Sequence, residues 1–148
     1  MAEDVEIDGP RPIAEGPFKG WLSWSVGSDP FETTIGPFCF RGEGADLRCA
    51  FQPQPSHLNG GGTIHGGALM SFADFALFAL AHRELSGAKA VTIAFNCEFL
   101  APGGLGAPIE ATGEVLRATR SLIFVRGLMM QESRTLLAFS GTLKKIAA

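Results

Sequence analysis

The segment GGALMSFADFALFALAHRE, residues 66–84, constrains the fold of this chain more than any other. It holds no proline and no β-branched residue, is rich in Ala, Leu, Met and Phe, and is apolar on nearly every face of a helix. A helix of that kind needs protein around it on all sides. The apolar run over 66–81 contains Asp74 and falls short of the roughly 20 residues that span a bilayer, so it reads as a core helix and not as a membrane span.

The rest of the chain supplies what encloses it. In 91–100, Val91, Ile93, Phe95, Cys97 and Phe99 alternate with Thr92, Ala94, Asn96 and Glu98, the period of a half-buried strand. Segments 109–117, 121–131 and 135–145 follow, separated by short turns around Ala118-Thr119 and Glu132-Ser133, which is the spacing of an antiparallel meander. Two shorter strands are expected at 33–41 and 45–52, joined through Gly42, Glu43 and Gly44. The order β-β-α-β-β-β-β predicts an α+β domain of about six strands, a curved antiparallel sheet wrapped round one central helix at about 66–84. Its unpaired sheet edges favour pairing with a second copy, so a homo-oligomer is expected.

A chain of 148 residues with 46% hydrophobic side chains is sized for one such core. We divide it into an N-terminal extension, 1–30, and a single domain, 31–148. Residues 1–17 are charged and broken by Pro10, Pro12 and Pro17, the pattern of a tail or strap. Residues 18–25, with Trp21 and Trp24 three apart, suit one or two helical turns. The net charge of -3 and the absence of any basic run beyond Lys144-Lys145 argue against a nucleic-acid partner. Cys39, Cys49 and Cys97 are an odd number without CxxC spacing, which points to a reducing, cytoplasmic setting and away from a disulfide framework or zinc knuckle. The acidic N-terminus lacks the apolar stretch of a signal peptide.

The loop before the helix reads His57-Leu58-Asn59-Gly60-Gly61-Gly62-Thr63-Ile64-His65-Gly66-Gly67. Helix starts expose backbone N–H groups and partial positive charge, so Gly66 and Gly67 can let a carbonyl oxygen approach as in an oxyanion hole, or simply permit tight packing. Asn59 can aim an amide at the same carbonyl or merely stabilise the turn. Asp74 is the only ionisable group between His65 and His82. A buried carboxylate is costly, so it is either a base or nucleophile, or an Asp satisfied by a hydroxyl such as Ser71 one turn away. It lies seven or eight residues from the two glycines, roughly 10–12 Å at ~1.5 Å per residue. That is too far for one reacting carbon, and a site shared between two antiparallel copies removes the difficulty. His65 suits a capping or packing role better than base or metal ligand, and the three histidines lack zinc-like spacing, so no metal is predicted.

These residues form the pattern N-x-x-G-x-x-H-G-G followed by Asp seven positions on, here Asn59, Gly62, His65, Gly66, Gly67 and Asp74, and the likeness continues through GAKAVTIAFNCEFLAPG. The chain resembles the phenylacetate-pathway type of hotdog thioesterase, in the 4-hydroxybenzoyl-CoA thioesterase superfamily, over about 31–146. The resemblance implies hydrolysis of acyl- or aryl-CoA thioesters by a dimer or dimer of dimers, with coenzyme A as part of the substrate and no separate cofactor. It implies that Asp74 is the base or nucleophile, that Asn59 positions the thioester or water, and that the Gly67 amide polarises the carbonyl. Thr92 matches a Ser or Thr that orients the water or the acid, though a Thr also suits a strand for its own sake. Arg117, Arg120 and Ser121 match a turn that supports the coenzyme's phosphates, although turn arginines are commonly just solvated. Two other readings stand beside hydrolysis: a non-catalytic acyl-CoA-binding protein, which would not need Asp74, and an enoyl-CoA hydratase-type enzyme.

Overall fold

The computed structural model describes residues 9–25 and 28–146, so that of the tail or strap expected at 1–17, residues 1–8 lie outside them, while Arg11 and Pro12 pair with Ser23 and Leu22. Its centre is one antiparallel sheet. The strands are β1 (Arg11–Pro12), β2 (Leu22–Ser23), β3 (Cys39–Arg41), β4 (Arg48–Phe51), β5 (Ala90–Phe99), β6 (Ile109–Ala118), β7 (Leu122–Gln131) and β8 (Arg134–Lys145), and three helices, α1 (Pro30–Ile35), α2 (Gly66–Leu80) and α3 (His82–Leu85), complete the fold. The spatial order is β1-β2-β3-β4-β6-β7-β8-β5. Helix α2 packs on β5, β6, β7 and β8. This is the expected α+β hotdog arrangement, with six strands of three residues or more among the described residues.

The helix comes close to the sheet because the sheet has glycines beneath it. A Cβ on Gly113 of β6 would collide with the backbone of Arg126 and with Leu80 of α2, and one on Gly141 of β8 would collide with Leu77. The buried faces then close with aromatic rings. Phe38, Phe51, Phe72 and Phe75 contact one another at centroid distances of 4.7 to 6.0 Å, edge-on or tilted except for the stacked pair Phe72 and Phe75.

Several expectations need correction. Residues 33–41 are not one strand: Asp29 caps a helix, accepting the Glu32 N–H at 2.9 Å, with Pro30 in its first turn, so α1 occupies Pro30–Ile35 and only Cys39–Arg41 is extended. The second short strand begins at Arg48, because Gly44–Asp46 form a 3-10 turn. Residues 18–25 do not form helical turns. Leu22 pairs with Phe40 in the sheet, and Trp24 stacks on Phe40 at 5.3 Å and meets Phe75 edge-on, so this stretch joins the core. The central helix ends at Leu80, with Ala81 breaking the α geometry before α3.

The last correction concerns enclosure and places the site. Helix α2 is not covered on all sides in one chain: Met70 is 41% exposed, Gly67 is exposed, and Ser71, Asp74 and Phe78 are half-buried. These positions share one helical stripe. Strand β5 also departs from simple alternation. A bulge between Thr92 and Ala94 shifts its register against β8, so Val91 and Ile93 turn outward while Thr92, Phe95 and Cys97 face inward. Among the described residues, no helix is long and apolar enough to cross a membrane.

Candidate active site

Asp74 sits on the open stripe of α2, and β5 brings Thr92 to it: the Thr92 hydroxyl donates to Asp74 Oδ1 at 2.6 Å. Ser71 does not satisfy this acid, since its hydroxyl donates to the Gly67 carbonyl at 2.8 Å. Burial raises the Asp74 pKa above the ordinary aspartate value, and the negative charge of Asp29 adds to the rise, while the Thr92 hydrogen bond opposes it. The bulge is therefore what gives the carboxylate its donor.

A cavity of about 360 Å³ opens beside this pair, lined by Asp29, Phe31, Glu32, Met70, Ser71, Asp74 and Phe95. Glu32 is a site residue that sequence reasoning missed. Reading 33–41 as a strand hid it, although Asp29-Pro30 followed by Glu32 is a helix-start signal. Burial pushes the Glu32 carboxyl up to about 8, with the charge and hydrogen bond of Asp29 and the charge of Asp74 acting in the same direction. Its Oε1 is buried with no hydrogen-bond partner among the described residues.

The loop residues gather at the other end of the helix. Asn59 Oδ1 accepts the N–H groups of Gly61 at 2.9 Å and Thr63 at 3.1 Å, and its Nδ2 donates to Thr63 Oγ1 at 3.0 Å. Its side chain thus shapes the glycine turn. His57 Nδ1 accepts the Gln54 N–H at 2.8 Å, which leaves Nε2 to donate to the Ile35 carbonyl at the end of α1. The His57 carbonyl in turn accepts the His65 N–H at 2.8 Å, so one histidine ties α1 to the loop.

His65 caps α2, its Nδ1 accepting the Gly67 N–H at 2.8 Å. The Gly67 amide is therefore occupied within the chain. Among the described residues, the Gly66 N–H has no partner, and the Phe99 ring lies over it, 3.2 Å from where a Cβ would stand. The structure brings Asp74 together with Thr92 at the middle of α2 and His65 together with Gly67 at its start, while Asn59 bonds within the glycine turn that precedes them. Arg117, Arg120 and Ser121 are exposed around the β6–β7 turn.

A carboxylate fixed by a hydroxyl, an open cavity and a helix start with a free amide are the parts needed for attack by water on a carbonyl. The family model described as the thioesterase superfamily matches residues 61–138. Human acyl-coenzyme A thioesterase 13 is 32% identical over 77 residues, a match that spans 51% of this chain and only 54% of that protein. A variant of the phenylacetic acid degradation protein PaaI from Thermus thermophilus superposes with a TM-score of 0.68 at 29% identity, covering 80% of this chain and 100% of that one. A thioesterase protein from Streptococcus pneumoniae, solved with coenzyme A, superposes with a TM-score of 0.66 at 19% identity over 74% of this chain and 86% of that one. With more than half of the chain matched by the family model, and with the fold and the Asn59 to Asp74 pattern in agreement, the chain belongs to the thioesterase superfamily as a PaaI-like, hotdog-fold thioester hydrolase.

Proposed function

We propose that this protein hydrolyses acyl-CoA or aryl-CoA thioesters in a composite site between two antiparallel copies. The observation that carries this reading is the Thr92 hydrogen bond to Asp74, which positions the carboxylate at the wall of the cavity and favours its ionised form. Ionised Asp74 takes a proton from water as the water oxygen attacks the thioester carbon. The oxygen of that carbonyl becomes negative and is stabilised by a helix-start amide, for which Gly66 is the free donor and Gly67 is spent on His65. Asn59 and His65 hold the shape of that helix start. The acyl-CoA substrate is supported by the acyl-coenzyme A thioesterase relative and by the coenzyme A bound in the streptococcal structure. Arg117 and Arg120, with Ser121 between the same strands, are the proposed contacts for its phosphates.

What supports a pairing of two copies is β5. It is one of the two outer strands of the sheet, ten residues long, with Val91, Ile93 and Phe99 exposed. Thr92 near its start touches Asp74, and Phe99 at its end touches Gly66. Pairing β5 with a second β5 antiparallel about its middle exchanges those ends. The partner's free helix-start amide then lies beside this chain's Asp74, which closes the gap along a single helix.

The test is thiol release from short, medium, long and aromatic acyl-CoAs by wild type and Asp74→Asn at matched folding. The variant is expected to lose about 10²- to 10⁴-fold in kcat, the usual contribution of a positioned base. A wild type that binds acyl-CoA but releases no thiol from any of them would replace hydrolysis with a binding role.

A further inference from the structure

We propose that Glu32 is a second catalytic carboxyl of this cavity, the acid that gives a proton to the departing sulfur. The inference rests on the hydrolytic reading above and adds a residue to it. Glu32 and Asp74 come from different elements, α1 and α2, yet line one cavity whose remaining walls include the apolar side chains of Phe31, Met70 and Phe95. Among the described residues, the charged groups that act on Glu32 are the carboxyls of Asp29 and Asp74, and no Lys or Arg lines the cavity. The start of the short helix α1 is the one feature among them that favours an ionised Glu32, and burial outweighs it. Its Oε1 is buried and has no partner among the described residues, so an ionised carboxyl there is poorly solvated.

Helix α1 is anchored so that this carboxyl stays in place. At its start Asp29 accepts the Glu32 N–H, and the Thr33 hydroxyl donates to the Ser25 and Asp29 carbonyls at 3.0 and 2.7 Å. At its end the Ile35 carbonyl accepts from His57, whose own carbonyl holds the His65 amide. Position is thus shared with the loop that shapes the helix start. With its pKa up at about 8, Glu32 holds its proton at neutral pH, while Asp74 has the Thr92 hydroxyl on its charged form. Burial raises both carboxyls, and what sets them apart is the Thr92 hydroxyl, which supports the charge of Asp74 and has no counterpart on Glu32. Two carboxyls in one cavity with unlike support for their charged forms can divide the roles of acid and base.

The step balances. Water gives one proton to Asp74 and its oxygen to the carbonyl carbon; the C–S bond breaks with its electron pair on sulfur, and sulfur takes the Glu32 proton. The products are the carboxylic acid and the thiol. Passing the proton gained by Asp74 to Glu32 restores both groups, so one water is consumed and no other reactant is needed.

A general acid matters most for a poor leaving group. The experiment therefore compares an acyl-CoA, whose alkylthiolate is basic, with the thiophenyl ester of the same acyl group, whose arylthiolate departs unaided. Glu32→Gln is expected to lower kcat about 10- to 100-fold on the acyl-CoA, leave the thiophenyl ester within about threefold, and remove the alkaline fall in kcat of the wild type. An equal loss on both esters would make Glu32 a structural residue, and no loss on the acyl-CoA would also overturn the proposal, in either case with hydrolysis itself intact. A wild type that cleaves neither ester would remove the hydrolytic reading as well. Should Glu32→Gln not fold, the wild type alone decides: its kcat must depend weakly on leaving-group basicity at pH 6 and steeply at pH 9, and an unchanged dependence overturns the role.

Discussion

At the residue scale, the proposed chemistry turns on how one hydroxyl treats one carboxylate. Burial raises the Asp74 pKa and the Thr92 hydroxyl lowers it, so the ionised form required by the proposed mechanism depends on a 2.6 Å bond. Thr92→Val keeps the shape of a β-branched strand residue and removes the hydroxyl. The Asp74 pKa then rises further, and a larger share of the acid is protonated and inactive at low pH. Activity on an acyl-CoA is expected to fall about tenfold on the acid side of the pH profile, the size of one hydrogen bond to a charge, and to recover as pH rises. A uniform loss across the pH–kcat/KM profile would mean that Thr92 acts on something other than the Asp74 proton. The residue types of this site were legible because a lone acid in an apolar helix and a His-Gly-Gly before it are unusual. The division of labour between Gly66 and Gly67 was not. It depends on the His65 ring turning back onto the Gly67 amide, a side-chain rotation that no spacing in the sequence specifies.

At the scale of elements, periodicity located the long pieces and failed at two short features that matter for the site. The four long strands β5 to β8 lie within a residue or two of expectation, because apolar alternation and turn spacing are local signals. Helix α1 was hidden behind Phe31, Thr33 and Ile35, which alternate like a strand, while the cap from Asp29 and the early Pro30 decide for helix. The bulge in β5 is invisible to alternation, since it arises from pairing with β8 and reverses which of Val91 and Thr92 faces α2. Helix and sheet are held at a fixed spacing by Gly141, whose added Cβ would strike Leu77 and stand 3.0 Å from the Ala94 carbonyl. Gly141→Ala is expected to destabilise the fold by about 1–3 kcal/mol, the usual cost of overpacking a core, seen as a lower urea midpoint at unchanged slope. An unchanged midpoint would show that α2 can move off the sheet without cost.

At the scale of the whole molecule, Asp74 lies at the middle of α2 and the Gly66 amide at its start, and in the proposed composite site the assembly determines whether they meet. If the site is composite, each active centre uses Asp74 from one copy and the Gly66 amide from the other. Gly66 is the first residue of α2, the position where proline fits a helix best, so Gly66→Pro deletes the N–H with little disturbance to the backbone. Asp74→Asn and Gly66→Pro proteins are then each inactive alone. In a mixed dimer, one centre combines both lesions and the other combines an intact Asp74 with an intact Gly66. Unfolding and refolding the two together in equal amounts makes about half of the dimers mixed, each with one working centre, so about a quarter of wild-type thiol release is expected for a closed two-fold pair. A centre built within one chain predicts no recovery at all, because each chain would still carry its own lesion. The outcome therefore separates a shared site from a self-sufficient one without depending on how tightly the copies associate in dilute solution, provided that the mixed and unmixed samples are assayed at the same total concentration.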